Sequence, residues 1–203
     1  MSSTFRPQFR MQSAKIAPRR SGTLIKVLGL TAVSVAGLAL MMGHARADDL
    51  PRADKSFLNS AAEAGNAEVK ASKIALEKTT NPDVKSFATL MVDEHTTVGD
   101  NLKKLAATKN VEPPTEPSVA QRAKIAVLEK LDGATFDKQY VSMIGVSAHK
   151  DAVKLFSKNA AEAKDPDVKD FAAKTLPGLQ HHLGHGERAE GQTGRKEVSS
   201  IKT

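Results

Sequence analysis

The same short pattern occurs twice in the chain, and each copy has the features of a helix start. The copies are Asn81-Pro82-Asp83-Val84-Lys85-Ser86-Phe87-Ala88 and Asp165-Pro166-Asp167-Val168-Lys169-Asp170-Phe171-Ala172. Asn81 and Asp165 can accept hydrogen bonds from the free amides of a first turn, and the proline that follows each of them has no amide to leave unpaired. Because an amphipathic segment ends just before each copy, each copy marks the bend of a helical hairpin. Two hairpins predict an all-α chain built as a four-helix bundle.

Apolar residues that recur every three or four positions predict four long helices, over residues 54–78, 81–109, 136–163 and 165–189. The crossover between the hairpins contains three prolines in residues 111–117, which exclude a helix there, and then a short helix over 118–131. The third long helix has two apolar stripes that point in different directions, which predicts a bend or bulge near Gly145. Pro177 and Gly178 predict a kink in the fourth helix. Residues 191–203 are polar and are predicted to form a disordered tail after a domain that spans 48–190.

Residues 1–47 have the order of a cleavable signal peptide. A basic region without acidic residues precedes an apolar run from Val27 to Met42, and Ala45-Arg46-Ala47 follows as a cleavage site. The pattern predicts cleavage after Ala47 and a periplasmic or secreted protein. An uncleaved membrane anchor is the alternative, but the run is shorter than the roughly 20 residues that span a bilayer.

The basic charge of the chain belongs to this leader. The leader carries 7 of the 30 Lys and Arg residues and none of the 23 Asp and Glu residues, so the remainder has 23 of each sign. No basic stripe is left to indicate nucleic-acid binding, and no later segment is apolar enough to span a membrane. The absence of cysteine excludes disulfides and thiolate metal sites. Alanine-rich stripes are compatible with a homo-oligomer, and they name no other partner.

One polar residue with a metal-binding side chain interrupts the apolar stripe of each long helix. These residues are Glu68, His95, His149 and His182. Counted along the helices from the two bends, they lie at similar heights, so a bundle with its bends at opposite ends would bring them together near its middle. Neutral imidazoles with one carboxylate suit Zn(II), Fe(II), Mn(II) or Cu(II). The sequence therefore predicts a mononuclear metal site, in a protein with an envelope or stress-related role.

Two other interpretations stay open. The inner His and Glu side chains could simply hydrogen-bond to one another inside a structural or partner-binding module without metal. An enzyme is the other interpretation, without the Glu-x-x-His motifs of di-iron proteins. His181 and His185 flank His182 and either supplement it as ligands or form a solvated patch.

Several motifs carry a family resemblance that covers nearly all of residues 54–189. They are Glu68-Val69, Asp93-Glu94-His95, Gly133 before Phe136-Asp137 and Tyr140, His149 before Val153 and Leu155-Phe156, and Leu176-Pro177 before His182-Leu183. Together they resemble a bacterial family of exported ferritin-like proteins of unknown function, often labelled predicted outer-membrane proteins. The resemblance implies a ferritin-like four-helix bundle and brings no agreed activity.

Overall fold

The structure is a computed structural model that describes residues 49–201, with side chains through residue 192. The elements are α1 (Arg52–Lys78), α2 (Pro82–Thr108), α3 (Val119–Glu129), α4 (Gly133–Tyr140), a π-helical segment (Val141–Ala148), α5 (His149–Glu162) and α6 (Pro166–Ile201). Every regular element of this part of the chain is helical, which confirms the all-helical class. The predicted signal peptide and its cleavage site lie outside the described residues.

The repeated motif starts a helix at both positions, as predicted. The Asn81 side-chain oxygen accepts a hydrogen bond of 3.0 Å from the amide of Asp83 at the start of α2. The Asp165 carboxylate accepts hydrogen bonds from the amides of Asp167 and Val168, at 2.9 and 3.1 Å, at the start of α6. The prolines at these starts leave no amide unpaired, because first-turn amides have no partner within their own helix.

A long-range cap that the sequence did not indicate holds the second bend. Asp54, in the first turn of α1, is 1% exposed. Its carboxylate accepts hydrogen bonds from the amides of Lys164 and Asp165, at 3.0 and 2.7 Å. The start of α1 is thereby fixed to the junction between α5 and α6.

The connector and the short helix α3 run along α1. Ser118 and Gln121 form a capping box at the start of α3, and the Asn66 side chain of α1 donates a 3.0 Å hydrogen bond to the carbonyl of Pro114. Of the long helices, α1 packs on α2 and α5 packs on α6, and α2 also contacts α6. None of the described helices is apolar over enough of its length to cross a membrane.

The apolar core consists of two clusters. The first cluster contains Phe57, Leu58, Ala61, Ala62, Leu102, Ala106, Val111, Ala152, Phe156, Ala163, Val168, Ala172 and Leu179. The second cluster contains Ala67, Ala71, Ala75, Val84, Phe87, Ala88, Met91, Ile125, Leu128, Phe136, Tyr140, Val141 and Ile144. On α2 the second cluster ends at Met91 and the first begins at Leu102, and His95 lies between them. The same change of cluster occurs beside Glu68 and beside His149, so polar residues separate the two halves of the core.

The predicted bulge near Gly145 is confirmed as the π-helical segment Val141–Ala148. A π-helical turn holds more residues than an α-helical turn, so it rotates the apolar stripe that follows relative to the one before. Gly145 lies against Gly186 of α6, and a Cβ atom added at Gly186 would be 2.2 Å from the Gly145 carbonyl oxygen. The two backbones can approach this closely only because both residues lack a side chain.

The end of the last helix needs a correction. α6 continues to Ile201, beyond the predicted end near Ala189, while the disorder predicted for residues 191–203 stays a prediction. This segment contains no proline, and Arg195, Lys196 and Glu197 are good helix formers, whereas its two glycines oppose a helix. Pro177 lies within α6 and does not end it. A kink at that position stays a prediction.

The contact between Gly145 and Gly186 makes a prediction about stability. Replacing Gly186 by Ala should lower the free energy of unfolding by about 1–3 kcal/mol, because the new methyl group overlaps backbone atoms that cannot move aside freely. Gly178→Ala in the same helix is the matched control, since its Cβ would meet nothing within 4 Å. That control should raise stability by roughly 0.5–1 kcal/mol. Urea denaturation measures both, and similar effects of the two substitutions would contradict the close approach.

Candidate metal centre

Three buried histidines from three helical elements converge in the core. One ring nitrogen each of His95, His149 and His182 lies within 4.8 Å of the other two, and the ring centroids are 5.1 to 5.4 Å apart. None of the three side chains is more than 3% exposed. The fourth predicted residue, Glu68, is 2% exposed and contacts His95. The structure therefore brings together all four residues singled out from the sequence.

Local structure explains how each histidine reaches the centre. His95 follows Met91 by one turn on the buried face of α2, and His182 follows Leu179 on the buried face of α6. His149 is the first residue of α5 and comes directly after the π-helical segment. The altered turn of that segment sets the direction in which His149 leaves the helix.

The outward ring nitrogen of each histidine donates to a fixed acceptor. His95 Nδ1 lies 2.9 Å from Glu68 Oε2, and His182 Nε2 lies 2.8 Å from the carboxylate of Glu94. His149 Nδ1 lies 2.8 Å from the carbonyl oxygen of Ile144, inside the π-helical segment. A carbonyl or an ionised carboxylate can only accept, so these three nitrogens carry the hydrogens. In the neutral rings the lone pairs are then on the opposite nitrogens.

Those lone pairs face one another. His95 Nε2 and His182 Nδ1 are 3.2 Å apart. His149 Nε2 is buried and has no hydrogen-bond partner among the described residues. Two lone pairs at this distance repel unless a cation lies on one of them, either as a proton or as a metal ion. The donor set and its geometry therefore fit a metal ion bound by three imidazoles.

The electrostatics of the cluster favour one positive charge in it. Burial raises the pKa of Glu68, but His95 first, and then the other two imidazoles, outweigh burial and hold that pKa below its ordinary value. Burial lowers the pKa of His95, yet the Glu68 carboxylate raises it above its ordinary value overall. Burial lowers the pKa of His149, and burial together with His95 lowers the pKa of His182 to about 4. Without metal, a proton on His95 is thus the charge that the cluster accommodates best.

Glu68 differs from the three histidines in position. Its Oε2 atom is on the Nδ1 side of His95, and its Oε1 atom is 3.8 Å from His149 Nδ1. Both of these ring nitrogens face away from the shared space. Among the described residues, the group of converging ligand atoms contains the three histidines and not Glu68. Its predicted role as a direct ligand stays untested, while its position is that of an outer carboxylate.

Sequence reasoning did not identify Glu94 as part of this centre. Glu94 precedes His95 on α2 and reaches His182 on α6 with a side chain that is 47% exposed. Helical geometry could have indicated it. Glu94 directly precedes the inward-facing His95, and consecutive residues are about 100° apart around a helix, so Glu94 faces a neighbouring helix. His181 and His185 form a separate pair, with ring centroids 4.6 Å apart. They lie at the surface and do not belong to the converging group.

Fold and site together define an all-helical domain with a buried cluster of three histidines. The chain belongs to the family described as "Domain of unknown function (DUF4142)", which matches residues 39–189. Among solved structures it is similar to the crystal structure of a DUF305 fragment from Deinococcus radiodurans, with a TM-score of 0.61 and 16% sequence identity. The match covers 72% of this chain and 98% of the fragment, and at this identity it shows the fold alone. No curated protein matches the chain.

The lowered pKa of His182 makes the stability of the metal-free protein depend on pH. The folded-state value of about 4 lies below the ordinary 6.5, so the folded state resists protonation that the unfolded state accepts. The contribution of neutral His182 to the free energy of unfolding is fully present above pH 6.5, and it is lost as the pH falls from 6.5 to 4. The raised pKa of His95 has the opposite effect on the pH dependence. Its contribution to the free energy of unfolding is complete below pH 6.5 and is lost at higher pH.

We expect the unfolding free energy, measured by urea denaturation in the presence of a chelator, to fall between pH 6.5 and 4. His182→Gln should make this fall shallower, because Gln does not titrate. His181→Gln, at the exposed neighbouring position, should keep the slope of the parent protein. If the unfolding free energy has the same slope against pH in the parent and in His182→Gln, the lowered pKa of His182 is contradicted.

Proposed function

We propose that this chain is an exported, ferritin-like four-helix bundle that binds one divalent transition-metal ion through His95, His149 and His182. The observation that carries the proposal is the set of three imidazole nitrogens within 4.8 Å of one another. Each of these rings also has its other nitrogen bonded to an acceptor. Metal-ligating histidines in proteins almost always have such a partner behind them.

The charges around the centre support a divalent ion. Glu68 and Glu94 each place one carboxylate behind a histidine, so two negative charges balance the two positive charges of the ion. Three imidazoles suit Zn(II), Cu(II) or Fe(II) better than Mn(II), which prefers oxygen ligands. When bound, an ion with three protein ligands supplies one further position for water or a small ligand.

The arrangement of helices supports the bundle. α1 packs on α2 and α5 packs on α6, and the long crossover with α3 and α4 joins the two pairs. Glu68, His95, His149 and His182 come from these four long helices. A centre built from side chains on facing helices is how bundles with metals in their core are organised.

The alternative, in which the inner side chains only hydrogen-bond, leaves two acceptors without a donor. His149 Nε2 and Glu68 Oε1 are buried without a hydrogen-bond partner among the described residues. A buried polar atom that lacks a partner costs about 1–3 kcal/mol. A bound metal ion removes that cost at His149.

The central test measures metal content. The purified protein, stripped with a chelator and then dialysed against Zn(II), Cu(II) or Fe(II), should retain one ion per chain of at least one of these metals. Mass spectrometry of the eluted metal gives the stoichiometry. The melting temperature should also rise with metal concentration. At a metal concentration of a hundred times Kd, binding adds about 2.7 kcal/mol to the free energy of unfolding.

Matched variants separate the ligands from their surroundings. His149→Ala should abolish stoichiometric binding, and His181→Ala should leave it intact. Glu68→Gln keeps an oxygen that can accept from His95 but loses the charge, so it should retain the ion with roughly 10–100-fold weaker affinity. Complete loss of metal in Glu68→Gln would show that Glu68 is a direct ligand, as the sequence suggested. A parent protein that binds none of these metals stoichiometrically would overturn the proposal.

The exported location has its own test. The leader pattern predicts cleavage between Ala47 and Asp48. N-terminal sequencing of the protein recovered from the periplasm should begin at Asp48, and Ala47→Phe should block this cleavage because the site requires small residues. Recovery of uncleaved protein with the native sequence from the membrane fraction would support the retained anchor instead.

A further inference from the structure

Glu94 is one of the points at which the network around the buried histidine cluster reaches the surface. Its carboxylate bonds to His182 Nε2 at 2.8 Å, while its side chain is 47% exposed and that of His182 only 3%. A metal ion that approaches along Glu94 meets negative charge before it meets the first imidazole. Since an exposed carboxylate keeps its water and its mobility, Glu94 is the member of the network that can exchange partners most easily.

Two further histidines lie beside this edge of the centre. His181 and His185 are one turn apart on α6, with ring centroids 4.6 Å apart, and positions four apart lie on the same helix face. The His181 ring centroid is also 6.2 Å from that of His182. Two imidazoles at this spacing can bind one transition-metal ion together.

The charges around His185 are consistent with metal binding. Burial and the neighbouring Arg188 lower the pKa of His185, and the Glu94 carboxylate opposes this shift. A neutral imidazole can bind a metal ion without first releasing a proton. Arg188 itself repels a cation, so the attraction must come from Glu94 and from the imidazole lone pairs.

The other two approaches to the centre are less suited to a cation. A groove of about 380 Å³ between α1, α2 and the proline-rich connector reaches His95, and its lining contains three lysines and two acidic residues, Asp100 and Glu116. A cavity of about 230 Å³ beside Glu68 is lined mainly by apolar side chains such as Ile125, Met143 and Leu155. The first approach carries more positive than negative charge, and the second is mainly apolar, with Glu68 and Asp151 among its polar residues; neither lining contains a pair of histidines.

We propose that the His181 and His185 pair, with the negative charge of Glu94 nearby, forms an entry site that captures a divalent metal ion from solution and delivers it to the buried histidines. This inference rests on the proposed function, because the delivery needs a centre that receives the ion. Capture and delivery are successive ligand exchanges, in which the ion leaves the surface imidazoles for those of the core and no electrons are transferred.

The rate of metal uptake tests the entry site. Co(II) is a suitable probe, because its visible absorption changes when it passes from water into a site with three imidazoles. In stopped-flow mixing with the metal-free protein, the double variant His181→Ala/His185→Ala should take up Co(II) roughly tenfold more slowly than the parent. Its final stoichiometry and its Kd should equal those of the parent, because the buried ligands are unchanged. Gln180→Ala, an exposed position on the same helix, should load at the parent rate.

The outcomes distinguish the entry site from the centre itself. Equal uptake rates for the parent and the double variant would overturn the entry site and leave the buried centre intact. A weaker Kd or a lower stoichiometry in the double variant would place His181 and His185 in the centre, which also overturns the entry role. No Co(II) uptake by the parent would overturn the proposed function and the entry site with it. Glu94→Gln should slow uptake as well, because it removes the charge that attracts the ion.

Discussion

The burial of the Glu68 carboxylate is the constraint on which the centre of this structure depends. Removing an ionised carboxylate from water costs several kcal/mol unless a positive partner and hydrogen bonds compensate. Glu68 is 2% exposed, and His95 is its hydrogen-bond partner at 2.9 Å. The pair requires a positive charge nearby, and the facing lone pairs of His95 and His182 require a cation at the same place. One cation therefore satisfies both requirements, and its position is fixed by residues of three different helices.

This polar centre lies between two apolar clusters. Away from the centre, the helices therefore pack through regularly spaced apolar residues. Below and above it the packing uses alanines, leucines and phenylalanines at helical spacing. The exception is the helix interrupted by the π-helical segment, where the backbone has to change the direction of its buried face and also supply the Ile144 carbonyl to His149. The close approach of Gly145 to Gly186 holds that segment against α6. A local departure from α-helical geometry is thus coupled to the orientation of one imidazole, which agrees with the frequent occurrence of π-helical turns at functional sites.

The features that the sequence predicted correctly are those that depend on local pattern. The caps at Asn81 and Asp165, the short helix after the prolines and the bulge near Gly145 all follow from residues a few positions apart. The convergence of the histidines could also be anticipated, because helix rise converts sequence distance from a bend into height. The contacts of Asp54 with the bend before α6, and of Glu94 with His182, join residues about 90 to 110 positions apart. Such pairs depend on how the two hairpins are rotated against each other, which no periodicity within one helix determines.

The carboxylate of Glu94 bears on whether a monovalent or a divalent ion suits the proposed centre better. With Glu68 alone behind the cluster, a single proton or a monovalent ion would leave the centre neutral, and a proton on His95 would be sufficient. Glu94 adds a second negative charge beside His182, and burial together with His95 lowers the pKa of that imidazole to about 4. The cluster thus contains two carboxylates and accommodates only one proton well. A divalent ion in the proposed centre would replace that proton and balance both carboxylates, so the charge distribution supports the proposal beyond the histidine geometry alone.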